Sequence, residues 1–270
     1  MDTLTHLVEQ YYDRSLLKEW RRLENHRTEF ALTMRAVRQH LPPPPRNLID
    51  IGGGPGRYAI ALTQLGYQVT LVDISARCLD FAVERAAEVG VTLHATRRAN
   101  ALHLAGMADA AYDGALLLGP LYHLLRRDER ARAVREAMRV LRPGGRLFAA
   151  FITRFAPFRY AVREEPGWIL RDPEYARRVL ETGIHDRGQE LPQVYFAHPE
   201  EVRPFMEACN LRTLLLVGLE GVASGQEEAI NQLEGEDWQA WVDLNYCLGQ
   251  EPSLFGASEH LLYVGEKPGD

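Results

Sequence analysis

From residue 47 onward, short apolar runs alternate with stretches of helical periodicity. Residues 47–51, NLIDI, form an apolar run that stops at Gly52, the pattern of a strand buried on both faces. Residues 57–65 carry apolar positions at helical spacing and end at Gly66. Residues 68–72 predict a second strand, 75–89 a helix stopped by Gly90, and 91–96 a third strand. A fourth strand falls within 112–118. An amphipathic helix follows, marked by Leu125, Val134, Met138 and Leu141, and then a fifth strand over 146–152. Two further apolar runs, LRTLLLVGLEG and HLLYVGEK, bring the strands to seven. Strand and helix alternating at this spacing predict an α/β fold built on a doubly wound, mostly parallel sheet.

The rhythm is interrupted three times. Residues 4–41 read as one or two helices and end at four consecutive prolines, Pro42 to Pro45, which cannot continue a helix. Residues 153–196 are aromatic and Arg-rich without a clear strand, and 221–258 form a second irregular block. The expected organisation is one core (47–152, 197–220 and 259–270), with an N-terminal helical lid segment (1–46) and two lid or acceptor-binding insertions (153–196 and 221–258). Fifteen of the 24 aromatic residues lie in these added segments, all four tryptophans among them. Such residues suit a pocket that excludes water, and equally a homodimer interface.

Composition narrows the class. Hydrophobic residues make up 46% and charged residues 25%, as in an ordinary globular protein. A net charge of −6 disfavours nonspecific binding to nucleic acid or to an anionic membrane. No apolar run approaches the roughly 20 residues of a membrane helix. The opening stretch, MDTLTHLVEQYYDRS, has no apolar signal region, so a cytoplasmic location is expected. The three cysteines, Cys78, Cys209 and Cys247, are scattered, and the nine histidines show no ligand spacing, so no metal site is expected.

The chemistry-bearing stretch is Asp50-Ile51-Gly52-Gly53-Gly54-Pro55-Gly56-Arg57, where a strand gives way to a helix. Glycines there let the backbone turn sharply and lie against a ligand, and the following helix offers free N–H groups to an anion. Asp73, 23 residues after Asp50, ends the next strand, where a carboxylate can accept both hydroxyls of a ribose. These two elements indicate a nucleoside-containing cofactor and leave open which one, since the loop also satisfies a relaxed dinucleotide fingerprint.

The order IDIGGGPGRY, LVDIS, YDGALLLGPLYHLL, VLRPGGRLFAAF resembles the class I S-adenosylmethionine-dependent methyltransferases over residues 46–152. The resemblance implies S-adenosyl-L-methionine as cofactor and a last strand that runs antiparallel. It implies that Gly52, Gly53, Gly54 and Gly56 form the cofactor loop, with Asp50 supporting it and Arg57 beside it. It further implies Asp73 and Ile74 at the ribose, Asn100 and Ala101 at the adenine, and Leu118 and Gly119 facing the sulfonium. The family usually carries an acid near the adenine; here the matching stretch is Arg98-Ala99-Asn100-Ala101.

Methyl transfer from a sulfonium requires mainly alignment, and a base only where the nucleophile must lose a proton. His123 and Tyr122 are the candidate catalytic residues. Tyr11, Tyr12, Phe155, Phe158 and Trp168 are the candidate acceptor contacts. The leading function is methyl transfer to an oxygen, nitrogen or carbon of a small molecule. The alternatives are an RNA or protein methyltransferase, a nicotinamide-dependent oxidoreductase, and a noncatalytic cofactor-binding protein.

Overall fold

A computed structural model describes residues 3–186 and 193–269. Two helices come first, α1 (Thr3–Asn25) and α2 (Arg27–His40), separated at His26, whose backbone leaves the helical region. The alternating core follows as β1 (Asn47–Ile51), α3 (Arg57–Gln64), β2 (Gln68–Asp73), α4 (Ala76–Glu88), β3 (Ala95–Arg98), β4 (Tyr112–Leu117), a 3₁₀ turn (Pro120–His123), α5 (Arg127–Val140) and β5 (Leu141–Ile152). Next come α6 (Ala156–Glu164), α7 (Trp168–Arg171) and α8 (Pro173–Thr182), with a small hairpin of β6 (Ile184–His185) and β7 (Val194–Tyr195). The chain returns to the core through α9 (Pro199–Glu207) and β8 (Arg212–Gly218), leaves it for α10 (Glu227–Asn231) and α11 (Gly235–Leu248), and ends with β9 (His260–Glu266).

Seven strands form one sheet in the order β3-β2-β1-β4-β5-β9-β8. The pairs from β3 to β5 are parallel, and β9 runs antiparallel to both of its neighbours, β5 and β8. Alternation along β1 divides its side chains between two cores. Leu48 packs with Leu32, Val37, Leu62, Ala82 and Val242, under α2, α3, α4 and α11. Ile49 and Ile51 pack with Val134, Ala137 and Met206, under α5 and α9. Each fully buried aliphatic side chain of this kind contributes roughly 1.5–3 kcal/mol. Because β2 lies on one side of β1 and β4 on the other, a crevice opens at their carboxyl ends.

Two strand boundaries expected from the sequence are corrected, and the helical or irregular lid segments it predicts are resolved into defined helices. The third strand begins at Ala95, not 91, because the chain after Gly90 must round α4 before Ala95 comes opposite Thr70. The fifth begins at Leu141; Tyr112 faces Leu141 but Gly114 faces Arg146, so the Pro-Gly-Gly stretch bulges out of register. Residues 153–196 are largely helical, in pieces of 9, 4 and 10 residues too short to display a period. The block 221–258 contains α11, 14 residues long, whose buried Val242, Asn245 and Tyr246 occupy one face.

Two of the three added segments pack on the main core and the third forms a core of its own. Helices α2 and α11 belong to the main core, joined by Arg35 over the Tyr246 ring and a hydrogen bond from Tyr246 to Gln39. Helices α6–α8 instead surround a small core of their own, made by Tyr175, Val179, Val194 and Phe196.

Candidate active site

The loop after β1 uses its glycines for distinct reasons. Gly52, Gly54 and Gly56 all adopt positive φ, of 67°, 53° and 82°. A Cβ on Gly52 would lie 2.5 Å from the Pro120 ring, one on Gly53 would meet Asp50 and Leu71, and one on Gly56 would meet Ala82. At Gly54 it would meet nothing within 4 Å. Three of these glycines therefore avoid collisions with neighbouring side chains, and of the four Gly54 is the one with open space where a Cβ would lie.

Asp73 fixes this loop from β2. Its Oδ2 accepts the Gly54 N–H at 2.8 Å and its Oδ1 the Ser75 N–H at 2.9 Å. Burial outweighs these bonds and raises its carboxyl to about 6. Asp50 lies below the loop with a buried Oδ2 that has no partner among the described residues. Burial and the Asp73 charge raise its carboxyl to about 7.

The cleft at this crevice is lined by Gly52 and Gly54, by Asp73 and Ile74, by Ala99 to Leu102, and by Gly119, Pro120, His123 and Leu124. Glu129 of α5 and Val8 and Tyr12 of α1 complete the wall. Helix α1 is tied across the opening at three points. Arg98 pairs with Glu9 at 2.6 Å, Ser75 donates to Asp13 at 2.5 Å, and Tyr12 Oη lies 2.7 Å from His123 Nε2.

Of the expected cofactor residues, Gly52, Gly54, Asp73, Ile74, Asn100, Ala101 and Gly119 border the cleft, and Asp50, Gly53 and Gly56 support it from beneath. Arg57 does not face it: its guanidinium stacks on Trp20, 4.6 Å from the ring centre, and pairs with Glu24 at 3.3 Å. Leu118 packs against the main core. The Asn100 Oδ1 accepts the Leu102 N–H at 2.9 Å and so shapes the turn after β3.

His123 sits between two partners, Tyr12 at Nε2 and the Gln193 carbonyl 3.4 Å from Nδ1. Burial pushes its imidazole down to about 4, so the ring is neutral at pH 7. With Nδ1–H directed at the carbonyl, Nε2 is the acceptor and the Tyr12 hydroxyl donates to it. Tyr122 stacks edge-on to His123, 4.7 Å between centroids, and burial lifts its phenol to about 12. Tyr11 packs edge-on to Tyr12 and bonds Glu19.

Phe155, Phe158 and Trp168 do not border this cleft. Phe155 packs on His198, while Phe158 and Trp168 join Tyr175 and Tyr122 in the small core of α6–α8. That three-helix segment is large enough to require its own apolar centre, which these rings supply.

The sequence reading missed a charged group at the same edge of the sheet. Glu29 of α2 receives two bonds from Arg22, at 2.5 and 2.9 Å. His260, at the start of β9, bonds the fully buried Glu220 through Nδ1 at 2.7 Å and lies 3.8 Å from Glu29. Burial opposes its charge, but Glu29 and Glu220 raise its imidazole to about 9. Burial likewise opposes the Glu29 charge, and Arg22 and His260 bring its carboxyl down to about 2. One donor atom from each of Glu29, Glu220 and His260 lies within 4.8 Å of the others, which would suit a metal ion. Arg22 and the His260 proton already balance the two carboxylates, so the group reads as a neutral ion-pair network. Its members are 7 to 238 residues apart in sequence, so no local motif could have revealed them.

A family described as methyltransferase domain matches residues 49–149. The ubiquinone biosynthesis O-methyltransferase of Paraburkholderia xenovorans is 30% identical over 176 residues, which cover 64% of this chain and 68% of that protein. A solved S-adenosylmethionine-dependent methyltransferase of Thermotoga maritima superposes over 96% of this chain and 98% of its own, with a TM-score of 0.57 at 19% identity. The 1,6-didemethyltoxoflavin-N1-methyltransferase of Burkholderia thailandensis gives 0.58 at 14% identity, over 98% of this chain and 88% of its own. No helix among the described residues is long and apolar enough to cross a membrane. The chain belongs to the class I S-adenosylmethionine-dependent methyltransferases, and S-adenosyl-L-methionine is its cofactor.

Proposed function

We propose that the protein methylates a hydroxyl oxygen of a small-molecule acceptor held between α1 and the turn after β4. The observation that carries this reading is the Tyr12 hydroxyl 2.7 Å from a neutral His123 Nε2 at the wall of the cofactor cleft. The O-methyltransferase relatives support oxygen as the attacking atom.

The residues present fit the cofactor. The open side of Gly54 leaves room for its methionine part, and the buried Asp50 carboxylate beneath the loop would offer negative charge to its cationic amino group across the loop. Each Asp73 oxygen accepts one backbone N–H and retains a lone pair for a ribose hydroxyl. Asn100, Ala101 and Leu102 form the wall for the adenine, and Gly119 lies toward the sulfur.

The cofactor supplies a methyl carbon made electrophilic by positive sulfur. The chain's own task is to align the acceptor with that carbon and to take up one proton. A hydroxyl that displaces Tyr12 from His123 would donate to Nε2. As the new C–O bond forms, the O–H becomes far more acidic, so a base of depressed pKa suffices to accept its proton. Burial behind α1 keeps water from competing for the methyl group.

The test is transfer of isotopically labelled methyl from S-adenosylmethionine to a panel of phenols, alcohols and amines, read by mass spectrometry. His123→Asn should lower turnover about 10²-fold while its cofactor affinity stays unchanged. Full turnover in a folded His123→Asn protein would remove His123 from the chemistry, and methylation confined to amines would refute oxygen.

A further inference from the structure

A second cavity lies behind the turn after β4, enclosed by α5, α9, the end of β5 and the small hairpin. Its volume is about 440 Å³. Three arginines reach it: Arg127, Arg130 and Arg154. Arg154, 7% exposed, is fully engaged, donating to the Phe196 and Glu181 carbonyls and to both oxygens of Glu201. Glu201 also accepts the Tyr195 hydroxyl at 2.5 Å, so its charge is spent locally.

Arg130 differs. It is 6% exposed and stacks on the Tyr195 ring, 3.5 Å from its centre, yet it forms no ion pair with a carboxylate among the described residues. Among the described residues its hydrogen bonds run from Nη1, donating to the Leu124 and Leu125 carbonyls at 2.7 and 2.8 Å. Arg127, one turn earlier on α5, lies over Phe205 and likewise has no carboxylate partner among the described residues. Burial works most strongly against the Arg130 charge and Arg127 adds to it, while Tyr195, Glu201 and Glu129 favour the charge without outweighing the burial. A buried cation with no carboxylate bonded to it is costly, and a bound anion relieves that cost.

We propose that this cavity binds a small organic or inorganic acid whose carboxylate or phosphate bridges Arg127 and Arg130. An attached apolar body would rest on Phe151, Val202 and Phe205, which line the same space. The site is separate from the cofactor cleft but mechanically joined to it. Arg130 fastens the carbonyls directly after His123, and Leu124 borders the cleft itself. Occupancy therefore sets the position of the His123 turn, and cofactor affinity responds to the anion.

The experiment titrates the full chain with inorganic phosphate and, separately, with benzoate, at ionic strength held constant with chloride. Thermal unfolding and calorimetry read the binding, and cofactor affinity is measured with and without saturating anion. Saturable stabilisation by either anion is expected, with affinity reduced about tenfold or more in Arg127→Gln and Arg130→Gln. Arg132→Gln, on the exposed face of α5, should bind as the parent does. A response to phosphate alone assigns the phosphate class, and one to benzoate alone the carboxylate class. Arg127 is exposed, so its variant keeps the test valid if Arg130→Gln fails to fold. The proposal is overturned if neither anion gives a saturable response, or if the response persists unchanged in Arg127→Gln.

Discussion

A methyl group added at Gly54 would meet no protein atom within 4 Å, whereas one at Gly52, Gly53 or Gly56 would collide with side chains. Gly54→Ala therefore separates ligand space from packing. The positive φ costs on the order of 1–2 kcal/mol, which a folded domain tolerates. Cofactor affinity should fall at least tenfold by calorimetry, and an alanine variant that binds like the parent would move the cofactor away from this loop. Asp50 allows a sharper test. Its carboxyl is raised to about 7, so below that pH it is mostly protonated. Only the ionised form offers negative charge to the cofactor's amino group from beneath the loop, so affinity should decline as pH falls below 7, by up to about tenfold per unit. Asp50→Asn should bind more weakly at pH 8 and lose that slope. A slope that remains in the variant belongs to another group, such as Asp73, raised to about 6.

Between elements, the Arg22–Glu29–His260–Glu220 network joins α1, α2 and the loop after β8 to the start of β9. The His260 imidazole titrates near 9 in the folded protein against about 6.5 in an unfolded chain. A raised pKa of this kind gives stability that is fully present below 6.5 and lost as pH rises through 9. Melting temperature should therefore drop over that window, and His260→Gln should be less stable at pH 6.5 with a flatter profile. Identical pH profiles for the two proteins would show that the histidine carries no charge in the fold. This network marks where sequence reading reached its limit. The glycine loop, Asp73 and the alternating strands were legible because each is local: a run of residues with one period, or a turn whose glycines are adjacent. Helices α6 to α8 were not, since breaks at Pro166, Pro173 and Gly183 leave no window long enough to show periodicity. Tyr12 was named from the sequence, but the contacts of Val8 and Glu9 at the same opening were not, because they depend on how a whole helix lies across the sheet.

At the scale of the molecule, the crevice at the β1/β4 reversal is fixed by topology; one wall of its cleft, α1, comes from outside the alternating core, and the facing wall, the turn after β4, from within it. The same architecture accommodates solved methyltransferases below 20% identity, and the O-methyltransferase relatives align over only part of this chain. Strand order carries a further consequence. The strand nearest the C-terminus, β9, is interior to the sheet, with β5 on one side and β8 on the other. While the chain emerges from a ribosome, every other strand of the sheet is made before the one that joins β8 to the rest. Until residues 260–266 are released, β5 and β8 each hold an open row of amide and carbonyl groups, available to a neighbouring nascent chain. The exposed interval ends only with the arrival of those seven residues, so the aggregation risk lasts until the one strand that bridges β5 and β8 has been made.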